Sequence, residues 1–293
     1  MPSLTAIKIL GNVLFMAKGI KLPVATATDN GGDKGWTEAY HKDRKDADLG
    51  AVPQCIPPWF MPQKAEYKPH QKSCDDIGKA FKDFHDAMID AVAFAHDLWK
   101  LQAKFKDLQI AAVAAVGAPG CLDGPELESN IKNAPQCASF TGNMAKARDA
   151  VAKGVSDCFK KWQGQVTIPG LPLYPAFAAF PGPMAPPMPN VPVPLIACVS
   201  GMMSEIITPD PMTKAMDDAL DQGLKDKDPE KHYHALHESI ATVLSLAFLI
   251  WLPSQLVSLV LGKGPIPTFA PPVVPVGPVV GGDNIPIPGH LMS

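Results

Sequence analysis

Three histidines and a glutamate fall within seven residues, at His232, His234, His237 and Glu238. Imidazole nitrogens and carboxylate oxygens are ligand types that hold zinc. On a helix, residues three and four apart share a face, so His234 lies with both His237 and Glu238, while His232 and His234 diverge. His234, His237 and Glu238 are therefore the candidate metal ligands. The competing reading is a polar helix start that follows the charged run 221–231. His85 and His96 lie nearly on one helical stripe, with Asp86, Asp90 and Asp97 close by. Such a stripe can build a site across a helix bundle, although a single histidine on an amphipathic helix is more often a boundary residue. No Gly-x-Ser-x-Gly elbow, phosphate-binding loop, dinucleotide fingerprint or His-Glu-x-x-His pair is present. No catalytic residue and no cofactor is assigned, and the chain reads as a non-enzyme.

The cysteines, Cys55, Cys74, Cys121, Cys137, Cys158 and Cys198, form no Cys-x-x-Cys pair, which argues against a zinc knuckle or a thioredoxin-type motif. Their wide spacing in a 293-residue chain is unlike a small disulfide scaffold, so buried free thiols are expected, with one or more disulfides as the alternative. Net charge is -3, and nothing in the chain forms the basic footprint that nucleic-acid binding needs. An apolar run at 9–17 followed by Ala25-Thr26-Ala27 resembles a signal segment, but Lys18 and Lys21 interrupt it, and a structural N-terminal segment is expected.

The elements that position these groups read as helices. Ser73-Cys74-Asp75-Asp76 resembles a capping start, and Phe81, Phe84, Met88, Val92, Ala95, Trp99 and Ala103 then recur at helical spacing, which predicts a long amphipathic helix over 75–105. Lys79, Lys82, Asp83, Asp86, Asp90 and Lys100 are left to face water. An Ala-rich helix is expected over 108–116, a short one at 125–133, and others over 143–163, 195–206, 210–224 and 229–251. Residues 239–262 carry no charge and are long enough to cross a membrane, although Pro253 divides them. A buried, kinked helix is the competing reading.

Two segments break the helical pattern. Residues 166–204 hold ten prolines and no Asp, Glu, Lys or Arg, and 264–282 are likewise uncharged and proline-rich. Proline removes a backbone donor, so both read as extended, polyproline-like arms rather than helices or central strands. The fold class expected is mainly α: a helical body of long amphipathic helices with extended, charge-free arms. The divisions are an irregular 1–72, a helical domain 73–165, an arm 166–194, a second helical segment 195–262 and a C-terminal arm 263–293. An extended apolar arm needs another surface, and the residues expected to meet it are Leu173, Tyr174, Phe177, Phe180, Met184, Met188, Leu195, Phe269, Val273, Val276, Val279, Ile285 and Ile287.

The runs Leu173-Tyr174-Pro175-Ala176-Phe177-Ala178-Ala179-Phe180-Pro181-Gly182-Pro183 and Ala185-Pro186-Pro187-Met188-Pro189-Asn190-Val191-Pro192 resemble proline-rich stretches of tail and baseplate proteins from contractile-tailed phages and related contractile injection systems. Gly264-Pro265-Ile266-Pro267 and Pro275-Val276-Gly277-Pro278-Val279-Val280-Gly281-Gly282 share that character. The resemblance is compositional, covers the arms alone and carries over no catalytic residue. It implies a virion or secreted-particle structural protein, assembled in the host cytoplasm beside copies of itself and other structural chains. The expected function is thus a subunit whose arms clasp its neighbours, with no nucleic-acid partner. The alternative is a membrane-inserting pore-former or toxin that buries 239–262. A metal-dependent enzyme using His234 and His237 is third.

Overall fold

Phe84, Met88, Val92, Ala95 and Trp99 are buried on one helix, α2 (Lys68–Gln102), as their spacing requires. The computed structural model describes residues 3–18, 68–228, 231–268 and 276–292, and within them the side chains other than those of 16 and 68–77. Lys100 departs from the expected solvent-facing set. It is fully buried, and its Nζ lies 2.8 Å from Asp97, in the last turn, where a cation also suits the helix dipole. The N-terminal helix α1 (Lys8–Ala17) runs antiparallel to α2: Ser3 bonds Asp97 at 3.2 Å, and Lys8 bonds Asp90 at 2.9 Å.

Four further elements complete the first part of the chain: β1 (Lys104–Phe105), β2 (Gln109–Ala111), β3 (Ala114–Gly117) and β4 (Leu122–Asp123). The helices α3 (Leu127–Lys132) and α4 (Gly142–Gly164) follow. The second part comprises β5 (Val166–Pro172), β6 (Met184–Met188), β7 (Val193–Pro194), β8 (Val199–Ser200), α5 (Ser204–Ile207), α6 (Pro209–Ala219) and α7 (Gln222–Lys225). It ends with α8 (His232–Ser254), β9 (Leu256–Val257), β10 (Leu261–Pro265) and β11 (Val280–Ile285).

The fold is mixed α/β rather than mainly α. Seven strands form one antiparallel sheet in the order β6-β10-β11-β2-β3-β5-β8. The residues expected as an Ala-rich helix at 108–116 are instead the β2–β3 hairpin. Leu108, Ile110 and Ala115 alternate inward, and Ala112 turns the chain with φ of 49°. Alanine fits either period, so strand partners distant in sequence, β11 and β5, decide the outcome. The expected helix at 195–206 also gives way, to a single 3-10 turn, β8 and the short α5. The uncharged stretch 239–262 is helical only to Ser254 and then enters β9 and β10.

The proline-rich segments are strands of this sheet and of its margins, not ribbons extended away from the body. Proline is accommodated in the described strands where no ladder donor is needed. Pro169 sits where the β3–β5 register shifts, Pro172 closes β5, and Pro186 and Pro187 lie on the edge strand β6. The two segments also bind each other: Phe180 pairs with Gly277, Ile266 N donates to Pro183 O at 3.0 Å, and Val279 N donates to Phe177 O at 2.9 Å. Buried amides lock the weave. Asn190 accepts from Val260 N at 3.0 Å and donates to Val257 O at 2.9 Å, while Asn284 accepts from Leu108 N at 3.0 Å and donates to Phe105 O at 2.8 Å.

Inward sheet residues such as Ile110, Ala115, Ile168 and Leu171 join the helices in one continuous apolar core. At its centre Trp99, Phe159, Trp162, Phe248 and Trp251 pack ring against ring at centroid distances of 4.8 to 6.3 Å. Helix α8 is apolar on nearly every side, which befits a helix enclosed by others. Gly154 brings α4 against α6: a Cβ there would lie 2.6 Å from the backbone nitrogen of Met216.

Candidate functional site

Two of the candidate metal ligands, His234 and His237, form a clamp between helices. Asp217, on α6, accepts from both imidazoles: its Oδ2 lies 2.6 Å from His234 Nδ1 and its Oδ1 lies 2.7 Å from His237 Nδ1. Burial pushes the Asp217 carboxyl up, but the bonds from His237 and His234 outweigh it and hold the group below the usual carboxylate range. Glu238 is engaged separately, by Lys18 at 2.6 Å, and lies 4.0 Å from His234 Nε2. Among the described residues no group of three or more His, Cys, Asp and Glu has the geometry to hold a metal ion. The arrangement ties α6 to α8. Asp217→Asn is expected to cost roughly 1.5–3 kcal/mol, read as a lower urea midpoint at pH 7, because the amide cannot satisfy both rings as the carboxylate does.

His85 and His96 are not brought to one site. His85 Nδ1 meets Asp86 at 3.0 Å, and its Nε2 is buried without a hydrogen-bond partner against Gly11, where a Cβ would stand 2.4 Å away. His96 is fully buried, with neither ring nitrogen partnered, among Trp99, Phe159, Phe248 and Trp251. Desolvation, aided by the Lys100 charge, holds its pKa well below the ordinary value.

Cys121, Cys137, Cys158 and Cys198 are free and buried, while Cys55 and the Cys74 side chain lie outside the described residues. Burial pushes the thiols of Cys121 up to about 11 and of Cys158 and Cys198 up to about 12, so they are poor nucleophiles. A groove of about 550 Å³ between α4 and α6 is lined by Lys153, Lys160 and Lys161, but these pair with Asp157, Glu126 and Glu205.

The residues expected at an interface divide. Leu173, Phe177, Leu195 and Val279 are buried within the chain itself, and Phe180 and Met188 pack against its core. Ile285 is half-buried on β11, whereas Tyr174, Met184, Val276 and Ile287 are exposed. Phe269 and Val273 lie outside the described residues.

One face of the seven-stranded sheet is left open among the described residues, and it was not among the sequence expectations. Ile110, Ala115, Leu171, Gly262, Gly264 and Gly282 turn inward, and their strand neighbours turn out. Register sets Lys263, Asp283, Gln109 and Val116 side by side across four strands, and sets Val280, Ala111, Ala114 and Pro172 across another four. Thr167 stands beside Val199. Val116 is 50% exposed, Val199 54%, Val280 52% and Met184 60%. Of the outward strand residues in this sheet, Lys263 and Asp283 alone are charged. A solvated face of an antiparallel sheet ordinarily alternates apolar-in with polar-out, and this face breaks that pattern. The signal in the sequence is weak, because β10 (LGKGP) and β11 (VGGDNI) alternate glycine rather than large apolar residues.

No family model matches the chain, and neither the curated proteins nor the solved structures give a match.

Proposed function

We propose that this chain is a structural subunit of a large multi-chain particle, of the tail, baseplate or injection-system kind that its proline-rich segments resemble. A neighbouring subunit packs on the open face of the sheet. One observation carries the reading: half-exposed Val116, Val199 and Val280 lie on a face with a single pair of opposite charges. Covering each such side chain contributes roughly 1 kcal/mol. The proline-rich segments serve by completing the sheet and building this face, not by reaching away as arms. The test is sedimentation of particles from producing cells. The chain is expected in the particle fraction, and a Val116→Asp/Val199→Asp variant that keeps the native melting curve is expected to be lost from it. Absence of the wild-type chain from the particles, or full retention of the variant, overturns the reading.

A second reading is favoured by α8, which is long and apolar enough to cross a membrane, with 67% of its most apolar window buried inside the fold. Here the surrounding helices would sheathe a segment that enters lipid. Flotation of the purified protein with liposomes, in the absence of detergent, separates the two readings. Stable association supports insertion, and recovery in the aqueous fraction supports the structural role.

A further inference from the structure

We propose that α1 is a pH-sensitive latch on α8: protonation of His85, wedged against Gly11 where α1, α2 and α8 meet, releases α1 from its seat. The latch is a property of α1 and the surface it covers, and it stands apart from both readings of function.

The seat is tight at one point. His85 projects from α2 and is 1% exposed. Gly11 of α1 lies so close that a Cβ there would strike the imidazole on one side and stand 2.7 Å from Val243 Cγ2 of α8 on the other. His85 Nδ1 meets the Asp86 carboxylate at 3.0 Å, so in the neutral ring Nδ1 carries the proton and donates it. Nε2 then holds a bare lone pair, buried and without a partner. A second proton would go to Nε2. It would place a charged donor against Gly11 and a valine methyl, with water shut out, and that is costly.

The ionisable groups around the ring do not rescue it. On α2, Asp86 favours the imidazolium but already accepts from Lys82 at 2.7 Å, and Asp90 is taken by Lys8 at 2.9 Å. On α1, Lys8 opposes a further positive charge, as Lys82 does. On α8, residues 239–254 offer no ionisable side chain. Desolvation therefore prevails and lowers the docked His85 below its ordinary 6.5. Once α1 has left, water reaches Nε2 and the ordinary value returns. Docked α1 thus binds fewer protons than released α1. Its docking is full above about pH 6.5 and is lost as pH falls toward the docked value.

Little else holds α1 down. It has ten residues, fewer than an isolated helix needs to persist. Its ion pairs, Lys8 with Asp90 and Lys18 with Glu238, are all about one-third or more exposed and so contribute little. Phe15, against Phe81 at a centroid distance of 5.4 Å, and Leu4 supply the buried apolar grip, while Ile9 and Val13 face outward. Release uncovers Val243 on the uncharged length of α8.

Amide hydrogen exchange of the full chain, corrected for the intrinsic pH dependence of exchange, tests the latch. From about pH 7.5 to 5.5 the α1 amides are expected to lose protection by up to about tenfold beyond any loss in α4, because one pH unit below the ordinary histidine value shifts the equilibrium by that factor. His85→Leu and His85→Gln cannot take the proton, and each is expected to keep α1 protected at both pH values. Either variant suffices to decide. Gly11→Ala is expected to free α1 already at about pH 7.5 while α4 stays protected. An α1 whose protection falls no more than that of α4, or a pH response that survives in the His85 variants, overturns the proposal. So does an α1 still protected in Gly11→Ala, because the seat would then have room to spare.

Discussion

A chain ending at Lys263 is expected not to fold, even though it retains every described helix. The reason is the place of β11. It lies between β10 and β2, so its removal splits the seven-stranded sheet into β6–β10 and β2–β3–β5–β8 and bares two inner edges. Lost with it are Ile266, Val279 and Leu291, all buried, each contributing roughly 1.5–3 kcal/mol. The bonds from Asn284 to the 105–108 segment go too, as do those of His290 and Leu291. His290 Nδ1 accepts from Phe105 N at 2.8 Å, and Gln255 donates to Leu291 O at 2.9 Å. The total rivals the 5–15 kcal/mol by which a domain of this kind is stable at all. Far-UV circular dichroism and a thermal melt decide the matter: no cooperative transition is expected, whereas a native-like melt would show that the helices stand without the sheet. Such a truncation would be a natural way to free the helical body if residues 263–293 were a detachable arm, and the topology makes it lethal.

Acid is expected to loosen the core well before carboxylates titrate. His290 is desolvated to a pKa of about 4, and desolvation also lowers His85 and His96 from 6.5. A histidine whose folded pKa is depressed binds fewer protons folded than unfolded. Stability is therefore full above about pH 6.5 and falls as pH drops toward the folded value. For His290 the loss reaches roughly 3 kcal/mol by pH 4 at about 1.36 kcal/mol per unit. His96 adds to it. The rings of Trp99, Phe159, Phe248 and Trp251 pack around it, with Lys100 as the charge that further disfavours protonation. His85 contributes less: Asp86 partly offsets its desolvation, while Lys82 and Lys8 oppose protonation. Urea unfolding at pH 7.5 and 4.5 is expected to differ by at least 3 kcal/mol. His96→Leu is expected to flatten that slope with little loss at pH 7.5, since both its ring nitrogens are already unpartnered. A pH-independent midpoint, or an unchanged slope in His96→Leu, would count against this account. Because His96 packs on Phe248 and Trp251, the loosening begins at α8, the helix that the membrane reading would release.

The long helices were legible because their burial is periodic: 75–105 and 143–163 were expected, and Lys68–Gln102 and Gly142–Gly164 form. The sheet was not. Its strands meet partners far away in sequence, as β11 meets β2, and no local window contains that pairing. Proline density also misled, since the rule against proline in strands holds for central ladder positions, whereas here the prolines fall on an edge, at a register shift and at a strand end. At the histidine cluster the sequence placed His234 and His237 on one face correctly, but the group that engages both, Asp217, sits on another helix. The open sheet face had no large alternating residues to announce it.

The enclosed sulfurs of Cys121, Cys137, Cys158 and Cys198 turn the protein into its own chronometer. A thiol held in apolar surroundings meets a maleimide only while the fold breathes, so in a Cys55→Ser/Cys74→Ser background the alkylation rate counts opening events. Cys137, 3.8 Å from Met88 Sδ beneath α2, and Cys158, within α4, would time two separate fluctuations of the same interior.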